Sequence, residues 1–520
     1  MKRYVLLALC AVTISQLSNA QTSIPHSQKE DTKGYMSEAY WAKWNDEELK
    51  RIEQDIERFR KADGEVMLEN IAKNSEVKIE QLSHEFKFGA HLFNYNQLGK
   101  TEYNERYKEL YGTLFNSGTI AFYWRKFETE PGRVRFATEY WDTEEFWNNC
   151  PNPYDQPHWR RPSTDQLVEF CKEKGIRAHG HVLVWGNRRW HQPDWVLDMM
   201  TTAEREAYNR FFPNEPGRFN DEDAKSEEYK KMSHDEVAKV FEHYIDTLRY
   251  TYDKRIELIA NHYKGQIESW DVVNESAVDY QNGALIDNHT VSKTRYGLMP
   301  GDHDYTALKS AEKYFPAEVK LNINDYHLTP AYKEQVERLI KRGCKIDIMG
   351  MQMHLFNPKQ CIDIAEGKEL QTPKQVRGYI ESLKDLKIPL HLSEITIAAP
   401  STDEKGFMIQ AIIAQNLYRL WFSMEYMMGI TWWNVIDNCG LKNEPATSGI
   451  YTRDMQPKPV YHALNNLINN EWKTNITTKA DKQGRVAFRG FKGNYRITWT
   501  DKKGNEQTME YYLKQQTGSK

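Results

Sequence analysis

Short apolar segments of strand length alternate with amphipathic helical segments eight times along this chain, and no other feature restricts its fold as much. The strand candidates are residues 86–92, 119–123, 177–184, 268–273, 321–325, 346–353, 390–395 and 429–435. The helices between them are marked at their ends. Ser163 and Gln166 have the spacing of a capping box, Leu167, Phe170 and Cys171 follow on one face, and Gly175 supplies a stop. Tyr332, Val336, Leu339 and Ile340 form a stripe that Gly343 closes. Thr372, Pro373 and Gln375 open another helix, with Val376, Ile380 and Leu383 on its buried face. A doubly wound sheet would carry a glycine-rich phosphate turn after its first strand, and none occurs here. The pattern therefore predicts an α/β fold, a (β/α)8 or TIM barrel with long loops, over residues 84–468.

The flanks read differently. Lys2 and Arg3, an apolar stretch over 4–14 and Ser18-Asn19-Ala20 predict a cleavable secretory signal over residues 1–20, hence a secreted or periplasmic location. A lipoprotein signal using Cys10 fits less well, because Leu9 stands where a small residue is wanted. Within 21–83, residues 21–37 are polar and aperiodic and read as a tether. A charged helical pattern covers 45–62, and Val66-Met67-Leu68 and Val77-Lys78-Ile79 resemble short strands. Over 474–520 the period switches to alternation, with Val486 and Phe488, then Tyr495, Ile497 and Trp499, then Met509, Tyr511 and Leu513. This predicts a small all-β module that needs the barrel or the early strands to complete a core. Its aromatic residues stand where a core also wants them, which favours structural support over sugar binding. The long connections 141–162 and 201–232 are of the kind that is either functional or disordered.

Composition removes several functions. Seventy basic against 74 acidic residues leave a net charge of −4, so no basic field points to nucleic acid. Mean hydropathy is −0.79, and no apolar run after residue 20 approaches the about 20 residues of a membrane span. Fifteen Trp and 30 Tyr exceed what a core needs and suit platforms in a binding cleft. Without the signal the cysteines are Cys150, Cys171, Cys344, Cys361 and Cys439, an odd, unpatterned set that argues against a disulfide framework and a Cys-based metal site while leaving room for one bridge.

In such a barrel the chemistry sits at the carboxyl ends of the strands. There stand His179, His181, Asn274, Glu275, Asp325, Gln352, His354, Glu394, Trp432 and Trp433. Glu275 ends the fourth strand and Glu394 the seventh, which face each other across a barrel, so the two acids can flank one bond. Glycoside hydrolysis needs such a pair, one carboxylic acid to protonate the leaving oxygen and one carboxylate to attack or to activate water. His179-x-His181 also has metal-ligand spacing, which keeps a metal-dependent hydrolase as a rival, although such barrels usually place that pair on the first strand.

Trp270-Asp271-Val272-Val273-Asn274-Glu275 resembles the acid/base strand of clan A glycoside hydrolases, and the ordered set of motifs resembles glycoside hydrolase family 10, the endo-β-1,4-xylanases. His179-Gly180-His181-Val182-Leu183-Val184-Trp185 is similar to its third-strand motif, Asn324-Asp325-Tyr326 to its fifth, Gly350-Met351-Gln352-Met353-His354 to its sixth and Gly429-Ile430-Thr431-Trp432-Trp433 to its eighth. Pro457-Lys458-Pro459-Val460-Tyr461 is similar to the entry to its last helix. The resemblance implies a secreted retaining β-glycoside hydrolase of endo-xylanase type that cleaves a polysaccharide or oligosaccharide by two-glutamate double displacement, without metal or cofactor. Glu275 would be the general acid/base, Glu394 the nucleophile and Asn274 the partner of the sugar 2-hydroxyl. His181, Trp185, Tyr326, Gln352, His354 and Trp433 would bind substrate.

The departures bear on specificity. The second-strand residues that hold the next sugar on the non-reducing side in that family become Ala121, Phe122 and Arg125 here. Gly186 replaces a His after Trp185 and is followed by a longer Asn187-Arg188-Arg189-Trp190-His191-Gln192 loop, Thr396 stands for an Asp two residues after Glu394, and Leu441 for a second Trp. These changes predict weak activity on linear xylan and better activity on a decorated, acidic xylan or another β-glycan. Phe122 would stack on sugar, and Arg125, with Arg188 and Arg189, would pair with a carboxylate. The lost contacts also motivate a non-catalytic carbohydrate-binding barrel, which retention of both Glu275 and Glu394 opposes.

Overall fold

The structure, a computed structural model, describes residues 23–213, 225–285, 291–295 and 297–514. The signal at 1–20 lies outside the described residues. Eight parallel strands close into a barrel: Lys87–His91, Ser117–Ala121, Arg177–Trp185, Ser269–Asn274, Lys320–Asp325, Ile348–Leu355, Leu390–Ile397 and Met427–Trp432. Each coincides with one of the eight apolar segments. The second ends two residues before the segment does, because Tyr123 is the cap of a short helix, Trp124–Phe127. Apolarity runs past the strand there because the loops at this end of the barrel are themselves buried.

Gly180 on the third strand lies against the indole of Trp270 on the fourth. A Cβ at this position would stand 2.2 Å from Trp270 Cε3. Gly180→Ala is therefore expected to destabilise the fold by about 1–3 kcal/mol or more, seen as a lower denaturant midpoint, because the neighbouring strand has no room to yield.

The N-terminal region is packed, contrary to its reading as a tether. Asp31 is buried and accepts the backbone N–H groups of Tyr35 and Met36, each at 2.9 Å, and the Trp41 indole N–H at 3.1 Å. A segment organised by one buried carboxylate carries no hydrophobic period, so the sequence pattern is silent about it. Helices Glu38–Lys43 and Asp46–Arg60 cover the outer side of helix Glu404–Ser423, through Asn416 to Tyr40 and Arg419 to Glu53. Ser163 is the cap of helix Thr164–Lys174, but its hydroxyl accepts from the Gln166 amide while Asp142 takes the Ser163 N–H, so the capping box is not closed. The Thr372–Gln375 box is closed.

The strands at the two ends of the chain form one module. Strand Lys61–Met67 pairs with Arg485–Phe491, and Glu76–His84 lies between Asn475–Lys479 and Gly493–Thr500, with Glu506–Leu513 at the edge. Val77, Ile79, Phe488, Tyr495 and Ile497 share its core, so Phe488 and Tyr495 have packing roles. Trp472, stacked on Phe422 at 4.1 Å, joins the module to the barrel. The five cysteines among the described residues are all free.

Candidate active site

A cleft of about 1070 Å³ opens at the carboxyl ends of the barrel strands. It is lined by His181, Trp185, Asn274, Glu275, Tyr326, Gln352, His354, Glu394 and Trp433; of the residues expected to contact substrate, Phe122, Arg125, Arg188 and Arg189 do not line it. Strand register brings them together. Asn274 is paired with Asn324, Gln352 with Glu394, and His354 with Thr396.

Glu275 follows the fourth strand in a left-handed conformation, φ 55°, with its N–H bonded to the Asn324 carbonyl at 2.8 Å. Such strained backbone is characteristic of sites where a side chain must be aimed. The Gln352 amide donates to Glu275 Oε1 at 3.2 Å. Burial, with the neighbouring charges of Glu394 and Asp325, pushes the Glu275 carboxyl up to about 8, so it is a protonated acid at neutral pH.

Glu394 has a different set of neighbours. Asn324 Nδ2 donates to its Oε1 at 2.9 Å, His181 Nε2 lies 3.7 Å from the same oxygen, and His354 Nε2 lies 3.4 Å from Oε2. His354 Nδ1 is 2.9 Å from the Thr396 hydroxyl, so a neutral hydroxyl orients this ring. His179 and His181 converge on one Asp271 oxygen, at 2.9 and 2.8 Å. Asp271 is held well below the usual carboxylate range, the two imidazoles outweighing its burial. For His181 burial acts to lower the pKa, but the Asp271 hydrogen bond and the Glu394 charge raise it on balance. Thus the His-x-His pair is engaged in orienting the site; among the described residues no group of three or more His, Cys, Asp or Glu could hold a metal ion. Asp325 accepts the Ala277 and His327 N–H groups, which makes it a loop organiser.

Asn324 belongs to the site, although from its motif only Asp325 and Tyr326 stand among the residues expected there. Its amide joins Asn274 Oδ1 and Glu394 Oε1, both at 2.9 Å. Its position at the carboxyl end of a barrel strand was the available signal. Gly350 leaves room for it, since a Cβ there would be 2.5 Å from Asn324 Oδ1. Asn324→Ala is expected to lower kcat by about 10²-fold with a smaller change in KM, as for loss of a group that positions the reacting carboxylate.

Arg125 requires correction. Its guanidinium bonds Asp194 at 2.6 Å and the Gln192 carbonyl at 3.2 Å, outside the cleft. Arg188 bonds the same carboxyl group and the same carbonyl, and exposed Arg189 lies over the Trp190 ring. Asp194, two residues beyond the inserted loop, thus binds both Arg125 and Arg188. Phe122 does not stack on substrate either; it is buried against Trp270 at 4.6 Å. Ala121, the last residue of the second strand, and Tyr123 just beyond it instead pack with Phe93, Trp185 and Trp433, and Tyr123 lines the cleft.

A family model for glycosyl hydrolase family 10 matches residues 145–467, more than half of the chain. The chain belongs to glycosyl hydrolase family 10. Among its curated relatives, endo-1,4-beta-xylanase C of Paenibacillus barcinonensis is 25% identical over 365 residues, covering 64% of this chain and 28% of that protein. Anti-sigma-I factor RsgI6 of Acetivibrio thermocellus is 24% identical over 339 residues, covering 65% and 34%. The chain thus spans about a third of these relatives or less. The solved structure of xylanase 10B from Thermotoga petrophila with xylobiose aligns with a TM-score of 0.48 at 18% identity, over 74% of this chain and 95% of that one. The family 10 match begins after the first two barrel strands, so the altered second strand lies outside it.

Proposed function

We propose that this chain is a retaining β-glycoside hydrolase that cleaves a β-1,4-xylan or a closely related plant β-glycan. The observation that carries this reading is the unequal carboxyl pair in one cleft. Glu275 is protonated at neutral pH, while Glu394 is surrounded by an amide and two imidazoles. Glu275 gives its proton to the glycosidic oxygen as Glu394 attacks the anomeric carbon, forming a glycosyl ester and releasing the aglycone. Glu275, now a carboxylate, then takes a proton from water, which displaces Glu394 and regenerates the starting state. Asn274, held by Asn324, faces the cleft where it can bind the sugar 2-hydroxyl. Family membership and the xylanases among the relatives favour a xylan substrate. A secretory leader over 1–20 would deliver such an enzyme to a polymer outside the cytoplasm.

The test is reducing-sugar release by the full chain from linear xylan, glucuronoxylan, arabinoxylan and mixed-linkage glucan, with Glu394→Ala as control. Release from a xylan that the control lacks supports the reading; release from none of them overturns it. Because two carboxyl groups complete the cycle, turnover is expected to be unchanged in excess EDTA, and a loss that added metal restores would contradict the mechanism.

A further inference from the structure

With Arg125, Arg188 and Arg189 outside the cleft, two arginines among the described residues line its side near the first, second and eighth barrel strands: Arg160, which is paired with Glu444, and Arg161. Arg161 belongs to the long 141–162 connection and lines the cleft. Its guanidinium lies 4.1 Å from the Tyr123 ring centre and 5.1 Å from that of Phe93. Tyr123 in turn packs against His181, which is beside Glu394. Arg161 Nη1 donates to the Arg160 carbonyl at 2.7 Å, and its other guanidinium nitrogens have no protein acceptor among the described residues. The nearby acid, Glu444, is committed to Arg160 at 3.1 Å, Asn434 at 3.0 Å and the Leu441 N–H at 2.8 Å.

The backbone holds this arginine in place. Arg160 has a left-handed φ of 61°, the Arg161 N–H bonds the His158 carbonyl at 2.9 Å, and the Arg161 carbonyl accepts from Arg135 at 2.8 Å. Burial lowers the Arg161 pKa to about 10, which still leaves it charged at neutral pH. A partly desolvated guanidinium without an anion is costly, and its planar fork suits a carboxylate. Because Glu275 is protonated, the catalytic pair presents less negative charge to an acidic ligand than two carboxylates would.

We propose that Arg161 reads a carboxylate on the substrate, so that the glycan preferred by this cleft carries a uronic acid on the side of Phe93, Tyr123 and Trp433. This rests on the glycosidase reading and names the substrate class of the same site. The carboxylate has two sources, a glucuronosyl branch on a xylan backbone or a uronosyl residue within the backbone.

The test is calorimetric binding to the full chain carrying Glu394→Gln, which removes turnover. The ligands are a linear xylo-oligosaccharide, the same oligosaccharide with a glucuronosyl branch, its carboxyl-reduced form, and a β-1,4-linked glucuronate oligosaccharide. At least one acidic ligand is expected to bind tenfold or more tighter than its neutral counterpart, and which one does so identifies the source. Adding Arg161→Gln is expected to remove that preference, while Arg161→Lys retains part of it. An unchanged acid-over-neutral ratio in Arg161→Gln, equal binding of the acidic and carboxyl-reduced forms, or binding of none of the four overturns the proposal. Failure of the glycosidase reading shows separately, as absence of turnover by the unmutated chain.

Discussion

Glu394→Ala is expected to abolish turnover on every substrate, lowering kcat by at least about 10⁴-fold, because no other group replaces the nucleophile. Structure favours this carboxylate for attack. It is presented from a buried strand, and Asn324, His181 and His354 fix its orientation from three other strands of the barrel. The loss is expected to be independent of the leaving group, since the bond to the anomeric carbon is needed in either case. A variant that keeps more than a few per cent of kcat, with contaminating wild-type enzyme excluded by titration, would place the nucleophile elsewhere.

Glu275→Ala has the second largest expected effect, and its signature is selectivity. On an unactivated glycoside kcat/KM should fall by about 10³-fold or more, while a dinitrophenyl glycoside, which needs little proton donation, should retain a far larger share. In the unmutated chain kcat/KM should fall as pH rises through about 8, the point to which burial and the charges of Glu394 and Asp325 push this carboxyl. Its effect on stability follows the same sign. A carboxyl with a raised folded-state pKa contributes stability below its unfolded pKa of about 4.3 and loses that contribution as pH rises through about 8. Glu275→Gln should therefore raise Tm more at pH 9 than at pH 5. A Tm difference that does not change between those values would contradict the shifted pKa.

The barrel was legible because parallel strands buried on both faces appear as short apolar runs, as in Ser269–Asn274, where every residue is buried. The catalytic candidates were legible because strand ends carry the chemistry in this fold, and Glu275 and Glu394 do line one cleft. Arg125 was misread for a physical reason. Its place after the second strand fixes its Cα, but Asp194, just beyond the inserted loop, determines where its guanidinium goes. Arg161 was passed over because it lies in a loop whose aperiodic sequence does not show which side chains turn into the cleft. The sheet module was only half legible. Alternation identified its strands, yet pairing of 76–84 with 475–479 and 493–500 joins segments far apart in sequence, which local pattern does not encode.

The stereochemistry of hydrolysis tests the central claim most directly. Proton NMR of a β-linked xylo-oligosaccharide during the first minutes of cleavage reports the anomer released before mutarotation. Double displacement by Glu394 and Glu275 predicts that the β-anomer forms first; initial release of the α-anomer would show single displacement by water and contradict the assignment of Glu394 as nucleophile.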